Sequence, residues 1–296
     1  MNYARTEDIQ ELAHHLSSIK EKLPAASGEL YLDSIRQQLS TFVPVVDEVL
    51  KTHVILKSLL FASMKIRHSR IVDAHRKTFD WIFSAQALPP SDCRAKIRLY
   101  TWLRQDDGIF WISGKPGSGK PTLMKYLDDK DQTQSALLKW AGNTRLVRAS
   151  FYFWNSGTEM QKSLQGLLQS LLFSVLSECP ALVPLACTGR WSGQHPSVSL
   201  DQPWGLLELQ QAFRVLKQQT FISVCFYFHI DGLDEYSGDH SDVIEILQDL
   251  TASASACIKI CASSRPWNCF EDAFGEDTDR KLYLQDLTRG AGNSSH

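Results

Sequence analysis

Residues 108–124 read GIFWISGKPGSGKPTLM, and this stretch decides the fold. It begins with the apolar run from Ile109 to Ile112, passes through a glycine-rich loop and ends in a helical pattern. The stretch fits the phosphate-loop pattern G-x-x-x-x-G-K-[ST] at every position except the last, where Pro121 replaces the Ser or Thr. In such a loop, glycines allow turns that aim backbone N–H groups at an anion in front of a helix. The sequence therefore predicts a strand, a phosphate-binding loop and a helix.

The loop supplies most of the candidate nucleotide-binding residues. Lys120 is expected to reach the β- and γ-phosphates as a point charge, while Gly117 and Gly119 give the backbone its freedom. The full set of candidates in this stretch is Gly114, Pro116, Gly117, Ser118, Gly119, Lys120 and Thr122.

Pro121 is expected to change the chemistry of the loop more than its fold. Proline is tolerated in the first turn of a helix, where the missing N–H has no intrahelical partner. The phosphate nevertheless loses an N–H donor and Mg²⁺ loses a hydroxyl ligand, a loss of about 1.5–3 kcal/mol. Thr122 carries a hydroxyl one residue later, but adjacent helical side chains point about 100° apart. We therefore predict weak nucleotide binding rather than none.

A second informative stretch covers residues 221–235, FISVCFYFHIDGLDE. A continuous apolar run of this kind indicates a strand buried on both faces of a parallel sheet, and it ends in acids at the edge where ligands bind. Asp231 is predicted to hold Mg²⁺ or its water, and Asp234 and Glu235 to position the attacking water. The alternative is an acidic turn that serves only to end the strand.

An arginine follows the next predicted strand, which runs from Cys257 to Ala262. Arg265 could face the γ-phosphate and report its presence, because the carboxyl ends of parallel strands meet at one edge of the sheet. The alternative is a solvated loop arginine.

The region before the phosphate loop is predicted to be largely helical. Residues 6–23 carry an apolar seam that fits either an intramolecular contact or a partner helix, and residues 29–64 form a second helical region with a break or kink at Pro44. A further helix is predicted from Asp73 to Phe83. His75 in this helix is a candidate base or ribose contact, with a solvent-facing polar residue as the alternative.

Composition limits the classes of function. The 296 residues carry a net charge of −2, which gives no global electrostatic reason to expect nucleic acid or an anionic membrane as a partner. We see no N-terminal signal, and the longest apolar run, Phe221 to Ile230, is too short to span a bilayer, so a cytoplasmic location is expected. The seven cysteines include no C-x-x-C pair and are predicted to be reduced thiols rather than disulfides or metal ligands.

Three segments together resemble a known family. Residues 108–120, 228–235 and 260–267 are similar to the NACHT-type NTPase module of fungal NLR-like proteins, which belong to the STAND class of signalling ATPases and include the nephrocystin-3-like N-terminal domain. Residues 74–83 resemble the family's approach to the phosphate loop. The resemblance covers about Ile66 to Thr288.

This resemblance implies an α/β fold of the P-loop NTPase type, with a mostly parallel sheet flanked by helices and preceded by an α-helical N-terminal region. It implies ATP or GTP with Mg²⁺ as cofactors, Lys120 as the phosphate lysine, Asp231 as the metal acid and Arg265 as the phosphate sensor. The implied domains are a helical region at 1–65, the NTPase domain at 66–288 and a flexible tail at 289–296. The chain departs from the family at Pro121 and stops without the winged-helix region or C-terminal repeats, as expected of a truncated sequence.

Three functions are consistent with these observations. The first is a nucleotide-binding signalling module whose Mg²⁺ site and hydrolysis are weakened by Pro121, so that it is at best a slow NTPase. The second is an active ATPase in which Thr122 or water replaces the missing metal ligand. The third is a nucleotide-independent fragment that binds a larger NLR-like relative or a second copy of itself through the N-terminal helices.

Overall fold

The computed structural model describes residues 18, 30–74, 79, 82–83, 93–192, 202–252 and 257–284. The chain forms two compact units. The first comprises Met1–Ser58 and Val183–Pro203, and the second comprises Leu59–Leu182 and Trp204–His296. The domain boundaries given above stay a prediction.

The second unit is built on a five-stranded sheet. Its strands are β1 (Gly108–Ser113), β2 (Arg145–Tyr152), β3 (Val224–Asp231), β4 (Cys257–Ser264) and β5 (Lys281–Tyr283). Their order is β2-β3-β4-β1-β5, and each neighbouring pair is parallel. β3 is buried along its whole length, as its continuous apolar run predicts. The order places β4 between the strand of the phosphate loop and the acidic strand.

Eleven α-helices lie within the described part of the chain. They are α1 (Leu30–Ser58), α2 (Ile66–Arg70), α3 (Cys93–Gln105), α4 (Lys120–Asp129), α5 (Asp131–Ala141), α6 (Leu164–Glu178), α7 (Val183–Ala186), α8 (Thr188–Trp191), α9 (Leu206–Gln218), α10 (His240–Thr251) and α11 (Asn268–Phe274). Helices α4, α6 and α10 pack against β3, β2 and β4 respectively. The predicted fold class, a parallel α/β sheet flanked by helices with a helical region before it, is confirmed.

Of the predicted break or kink at Pro44, the break is excluded, because helix α1 continues through this residue, while the kink stays a prediction. Pro44 lies at an exposed position, where water can hydrogen-bond the carbonyl that the missing N–H leaves without an intrahelical donor. The predicted helix at residues 6–23 lies outside the described residues, apart from Ser18, which is helical.

Within the described part of the chain, no single helix is long and apolar enough to cross a bilayer. Helix α6 and the segment Pro180–Ala186 after it reach that length and composition only as a bent pair.

The predicted helix from Asp73 to Phe83 does not begin where the sequence indicates, because Asp73 and Ala74 are not helical. Lys125 of α4 donates to the Ile71 carbonyl oxygen at 3.2 Å and to the Asp73 carboxylate at 2.5 Å. These contacts hold the segment against α4 in a non-helical conformation. Phe79 is buried, as predicted, although it lies in a bend.

The prediction of reduced thiols is wrong for two cysteines. Cys225 of β3 and Cys257 of β4 are bonded as a disulfide, with their Cα atoms 4.6 Å apart. They are register partners on adjacent parallel strands, an arrangement that sequence spacing does not reveal. Cys179, Cys187 and Cys261 are buried and form no disulfide, in agreement with the prediction.

One fully buried lysine joins α3 to the sheet. The Lys259 Nζ atom donates to the carbonyl oxygens of Trp102 and Leu103 at 2.5 and 3.0 Å, in the last turn of α3, where carbonyls lack intrahelical donors. Nζ also lies 4.8 and 4.4 Å from the ring centroids of Trp102 and Trp140. Burial lowers the pKa of Lys259 to about 7, and the carboxylates of Asp107 and Asp106 act in the opposite direction.

Lys259 should give the fold a measurable pH dependence. Because its pKa is about 7 in the folded chain and 10.5 in the unfolded reference, the unfolded chain binds more protons between these values. The free energy of unfolding is therefore expected to rise with pH in this window, by about 1.4 kcal/mol per pH unit from this residue.

The measurement is urea unfolding of the wild type and of Lys259→Met, at intervals from about pH 7 to about pH 9. The free energy of unfolding of the wild type minus that of Lys259→Met should rise with pH. The same difference for an exposed control, Lys139→Met, should stay constant. If this difference does not change with pH for Lys259→Met, the pKa of Lys259 is not lowered in the folded chain and the prediction is wrong.

Candidate functional site

The loop between β1 and α4 has the backbone geometry of an anion cradle. Gly117 and Gly119 adopt φ values of +76° and +82°, which side chains with a Cβ atom rarely tolerate. A Cβ atom added at either residue would meet nothing within 4 Å, so it is the backbone conformation, and not a lack of space, that favours glycine at both positions. The N-terminus of α4 follows directly and adds its positive end to the cradle.

Lys120 lies beneath this loop with only 8% of its surface exposed. Its Nζ atom donates to the Gly114 carbonyl oxygen at 2.7 Å. A Cβ atom at Gly114 would lie 2.9 Å from Lys120 Cγ and 2.5 Å from Ser118 Oγ, so this close approach requires glycine. Burial lowers the pKa of Lys120, and nearby acids act against that effect.

The remaining loop candidates differ in their surroundings. Pro116 is exposed, and Thr122 is half-buried in the first turn of α4. The Ser118 hydroxyl is buried and has no hydrogen-bond partner within the described part of the chain. A buried hydroxyl without a partner normally costs free energy, which a bound phosphate would recover by accepting its hydrogen bond.

Pro121 stands in the first turn of α4 and does not disrupt the helix, as predicted. The first i to i−4 bond of the helix runs from the Leu123 N–H to the Gly119 carbonyl oxygen at 3.0 Å, so it bypasses the proline. The substitution therefore removes a hydroxyl and an N–H from the cradle without a cost in helix hydrogen bonds.

Asp231 ends β3 at the same sheet edge and is 2% exposed. The Ser263 hydroxyl donates to Asp231 Oδ1 at 2.5 Å and accepts from the Gly232 N–H at 3.1 Å. Burial raises the pKa of Asp231 to about 6; the hydrogen bond from Ser263 lowers it, the Glu235 charge raises it, and the charges of Lys120 and Arg67 lower it. A carboxylate without access to water is costly, so Asp231 is stabilised either by a nearby cation or by taking up a proton.

Asp234 and Arg265 form a two-point contact between the ends of β3 and β4. The Arg265 Nε atom lies 2.9 Å from Asp234 Oδ2, and the Arg265 backbone N–H donates to Asp234 Oδ1 at 2.9 Å. The Asp234 side chain is 4% exposed and that of Arg265 is 43% exposed. The contact fixes the turn after β4 while leaving one side of the guanidinium open.

Glu235 is placed by the neighbouring loop. It closes the 3-10 turn Leu233–Glu235, and its Oε2 atom accepts from the Asn155 backbone N–H at 2.9 Å. This hydrogen bond ties Glu235 to the loop that follows β2.

The structure brings the predicted residues of three strand ends together. Lys120 interacts electrostatically with Asp234, Asp231, Arg265 and Glu235. Each of these four residues lies more than a hundred positions after Lys120 in the sequence. His75, the candidate base or ribose contact, lies outside the described residues.

Sequence reasoning missed two side chains that belong to this site. Ser263 positions Asp231, and its place directly before the Ser264-Arg265 pair was a usable signal. Arg67 of α2 lowers the pKa of Asp231 through its charge. The three motifs did not indicate this contact, because α2 lies outside them in the sequence.

The residues present fit Mg²⁺ only when it is shared with nucleotide phosphates. Among the described residues, no group of three or more His, Cys, Asp or Glu side chains could hold a metal ion by itself. Mg²⁺ commonly binds one or two carboxylates together with phosphates and water. Asp231 can supply such a carboxylate, while Pro121 lacks the hydroxyl that the loop usually adds.

Comparison with a family model agrees with this geometry. The model described as "Nephrocystin 3, N-terminal" matches residues 94–265, which is more than half of the chain. The matched range begins in α3 and ends at Arg265. It therefore contains the phosphate loop, the acidic end of β3 and the arginine that follows β4.

Two individual proteins are similar to parts of the chain. Vegetative incompatibility protein HET-E-1 of Podospora anserina is 26% identical over 194 residues, which cover 63% of this chain and 13% of that protein. The chain therefore spans a small part of that relative's length. The crystal structure of Cdc6p from Pyrobaculum aerophilum matches with a TM-score of 0.33 and 12% identity, covering 69% of this chain and 48% of that chain. That structural similarity is too low to carry an argument.

The Asp234–Arg265 contact should be measurable as a coupling energy. Asp234→Asn and Arg265→Gln each break the ion pair, and each is expected to lower the free energy of unfolding by about 1–3 kcal/mol because the Asp234 carboxylate is buried. Combined, they should show a coupling of about 1–2 kcal/mol in urea unfolding.

An exposed ion pair provides the control for this cycle. Arg280 and Asp277 are 3.5 Å apart with both side chains about half exposed, and their coupling should stay below about 0.5 kcal/mol. Additive effects of Asp234→Asn and Arg265→Gln would show that the strand ends are not held together by this pair.

Proposed function

The chain belongs to the Nephrocystin 3, N-terminal family, as its motifs predicted, and from this premise we propose that it is a nucleotide-binding signalling module that takes ATP or GTP. The family and the fold make it a P-loop NTPase-like module of the NACHT type. Binding of a nucleotide, weakened hydrolysis and a signalling role are the proposed parts.

The observation that carries the proposal is the buried lysine under an open glycine loop. Lys120 is 8% exposed, so water is largely excluded from its charge, and its Nζ atom donates to the Gly114 carbonyl oxygen. The carboxylates of Asp231, Asp234 and Glu235 act on this ammonium electrostatically, and a triphosphate in the loop would add an anion that the ammonium could hydrogen-bond directly. The unpartnered hydroxyl of Ser118 on the same loop supports the same ligand.

The acidic strand end suits the reacting end of the nucleotide. Mg²⁺, when bound with the nucleotide, would neutralise phosphate charge, and Asp231 is the side chain that would hold it or its water. Glu235 accepts a backbone N–H through one oxygen and can orient a water molecule with the other. Asp234 supports Arg265 through its two contacts, and Arg265 is the residue that we propose would contact the terminal phosphate.

Pro121 is the reason to propose weak hydrolysis. The loop keeps its helix and its lysine, but it offers neither the hydroxyl nor the N–H of the usual residue. The chain should therefore hold a nucleotide more firmly than it hydrolyses it, and act as a switch or a decoy for a larger relative rather than as a fast enzyme.

A partner for the N-terminal region stays part of the proposal. On α1, Val45 and Val49 are 54% and 51% exposed and stand four residues apart, so they share one face of the helix. An exposed apolar face on a helix suits a second copy of the chain or the helix of a larger NLR-like relative.

Nucleotide titration tests the proposal. The full chain, titrated with fluorescently labelled ATP in the presence of Mg²⁺, should bind with a dissociation constant at or below the millimolar range. Lys120→Ala should weaken binding at least about tenfold, because a charge-assisted hydrogen bond to phosphate is lost. Thermal unfolding of each variant without nucleotide checks that it is folded.

Lys139→Ala is the matched control, because Lys139 is an exposed lysine on α5 and its removal changes the net charge equally. It should leave the affinity unchanged. The proposal fails if the wild type shows no binding at millimolar nucleotide, or if Lys120→Ala and Lys139→Ala bind alike.

A further inference from the structure

Two arginines of helix α2 share one tryptophan. The guanidinium carbons of Arg67 and Arg70 lie 5.6 and 5.0 Å from the ring centroid of Trp154. Contacts of this kind stabilise a cation and restrict its side chain. The ring therefore holds both guanidinium groups beside the loop that follows β2.

Backbone hydrogen bonds attach this loop to the acids of the site. The Phe153 N–H donates to the Asp231 carbonyl oxygen at 2.9 Å, and the Asn155 N–H donates to Glu235 Oε2 at 2.9 Å. Trp154 stands between these two residues. The two arginines thus lie at the same sheet edge as the phosphate loop, on the β2 side of the acidic strand end.

The two arginines have different surroundings despite the shared ring. Arg67 is half-buried, its Nε atom is buried without a hydrogen-bond partner, and no carboxylate in the described part of the chain pairs with it. Its charge reaches Asp231 and opposes the rise in pKa that burial causes there. Arg70 is exposed.

We propose that Arg67 binds the terminal phosphate of a bound nucleoside triphosphate, opposite Arg265, and so makes the site prefer a triphosphate to a diphosphate. The inference rests on the proposed function. A half-buried guanidinium with an unused donor requires an anion, and the acids on its other side are those that accompany the β- and γ-phosphates in sites of this class. The planar fork of arginine suits a phosphate with two free oxygens.

The ratio of triphosphate to diphosphate affinity tests the inference. The full chain and its variants are titrated with ATP and with ADP in the presence of Mg²⁺. Arg67→Met, which keeps an unbranched apolar stem against Trp154, should weaken ATP binding by about ten- to a hundredfold and leave ADP binding within about threefold. Arg67→Lys keeps the charge without the fork and should give a smaller loss for ATP.

Arg70→Met is the matched control, since Arg70 lies on the same helix and the same ring. It should change neither affinity. Thermal unfolding without nucleotide should be similar for the two methionine variants, and if Arg67→Met does not fold, Arg67→Lys carries the test alone.

The outcomes separate this inference from the proposed function. Equal loss of ATP and ADP affinity in the Arg67 variants, or the same ratio in Arg67 and Arg70 variants, overturns the inference and leaves the proposed function standing. Absence of ATP and ADP binding in the wild type overturns both.

Discussion

The Lys120 ammonium is buried at the carboxyl edge of the sheet. Its charge is compensated there by a backbone carbonyl and by carboxylates from a neighbouring strand end. Lys120 can fold back onto the Gly114 carbonyl only because that glycine has no Cβ atom. The parallel strands then bring the acids of β3 and the arginine of β4 within electrostatic range of it. The site therefore contains cations and acids in close proximity, and these charges partly compensate one another.

The local parts of this arrangement could be predicted from the sequence. A strand, a glycine loop and a helix in one continuous stretch fix the position of Lys120, and an apolar run that ends in an acid fixes Asp231. Because all neighbouring strands are parallel, motifs at their carboxyl ends must meet at one edge, which also places Arg265. The family comparison agrees with the same three segments.

Features that depend on which elements are neighbours could not be predicted. The Cys225–Cys257 bond requires β3 and β4 to be adjacent and in register. The position of the Arg67 guanidinium depends on its contact with Trp154, which is remote in sequence, and on the loop that carries this tryptophan. Continuation of α1 through Pro44 is a third case, because local propensity favours a break and exposure to water reduces its cost.

Pro121→Ser, with nucleotide affinity and turnover measured side by side, tests most directly the claim that this is a phosphate cradle with a weakened Mg²⁺ site. If this is so, Pro121→Ser should gain about ten- to a hundredfold in ATP affinity with Mg²⁺, gain markedly less when EDTA removes the metal, and turn over faster. Affinity and turnover that stay the same in Pro121→Ser would contradict the claim, because the proline would then not be what limits the site.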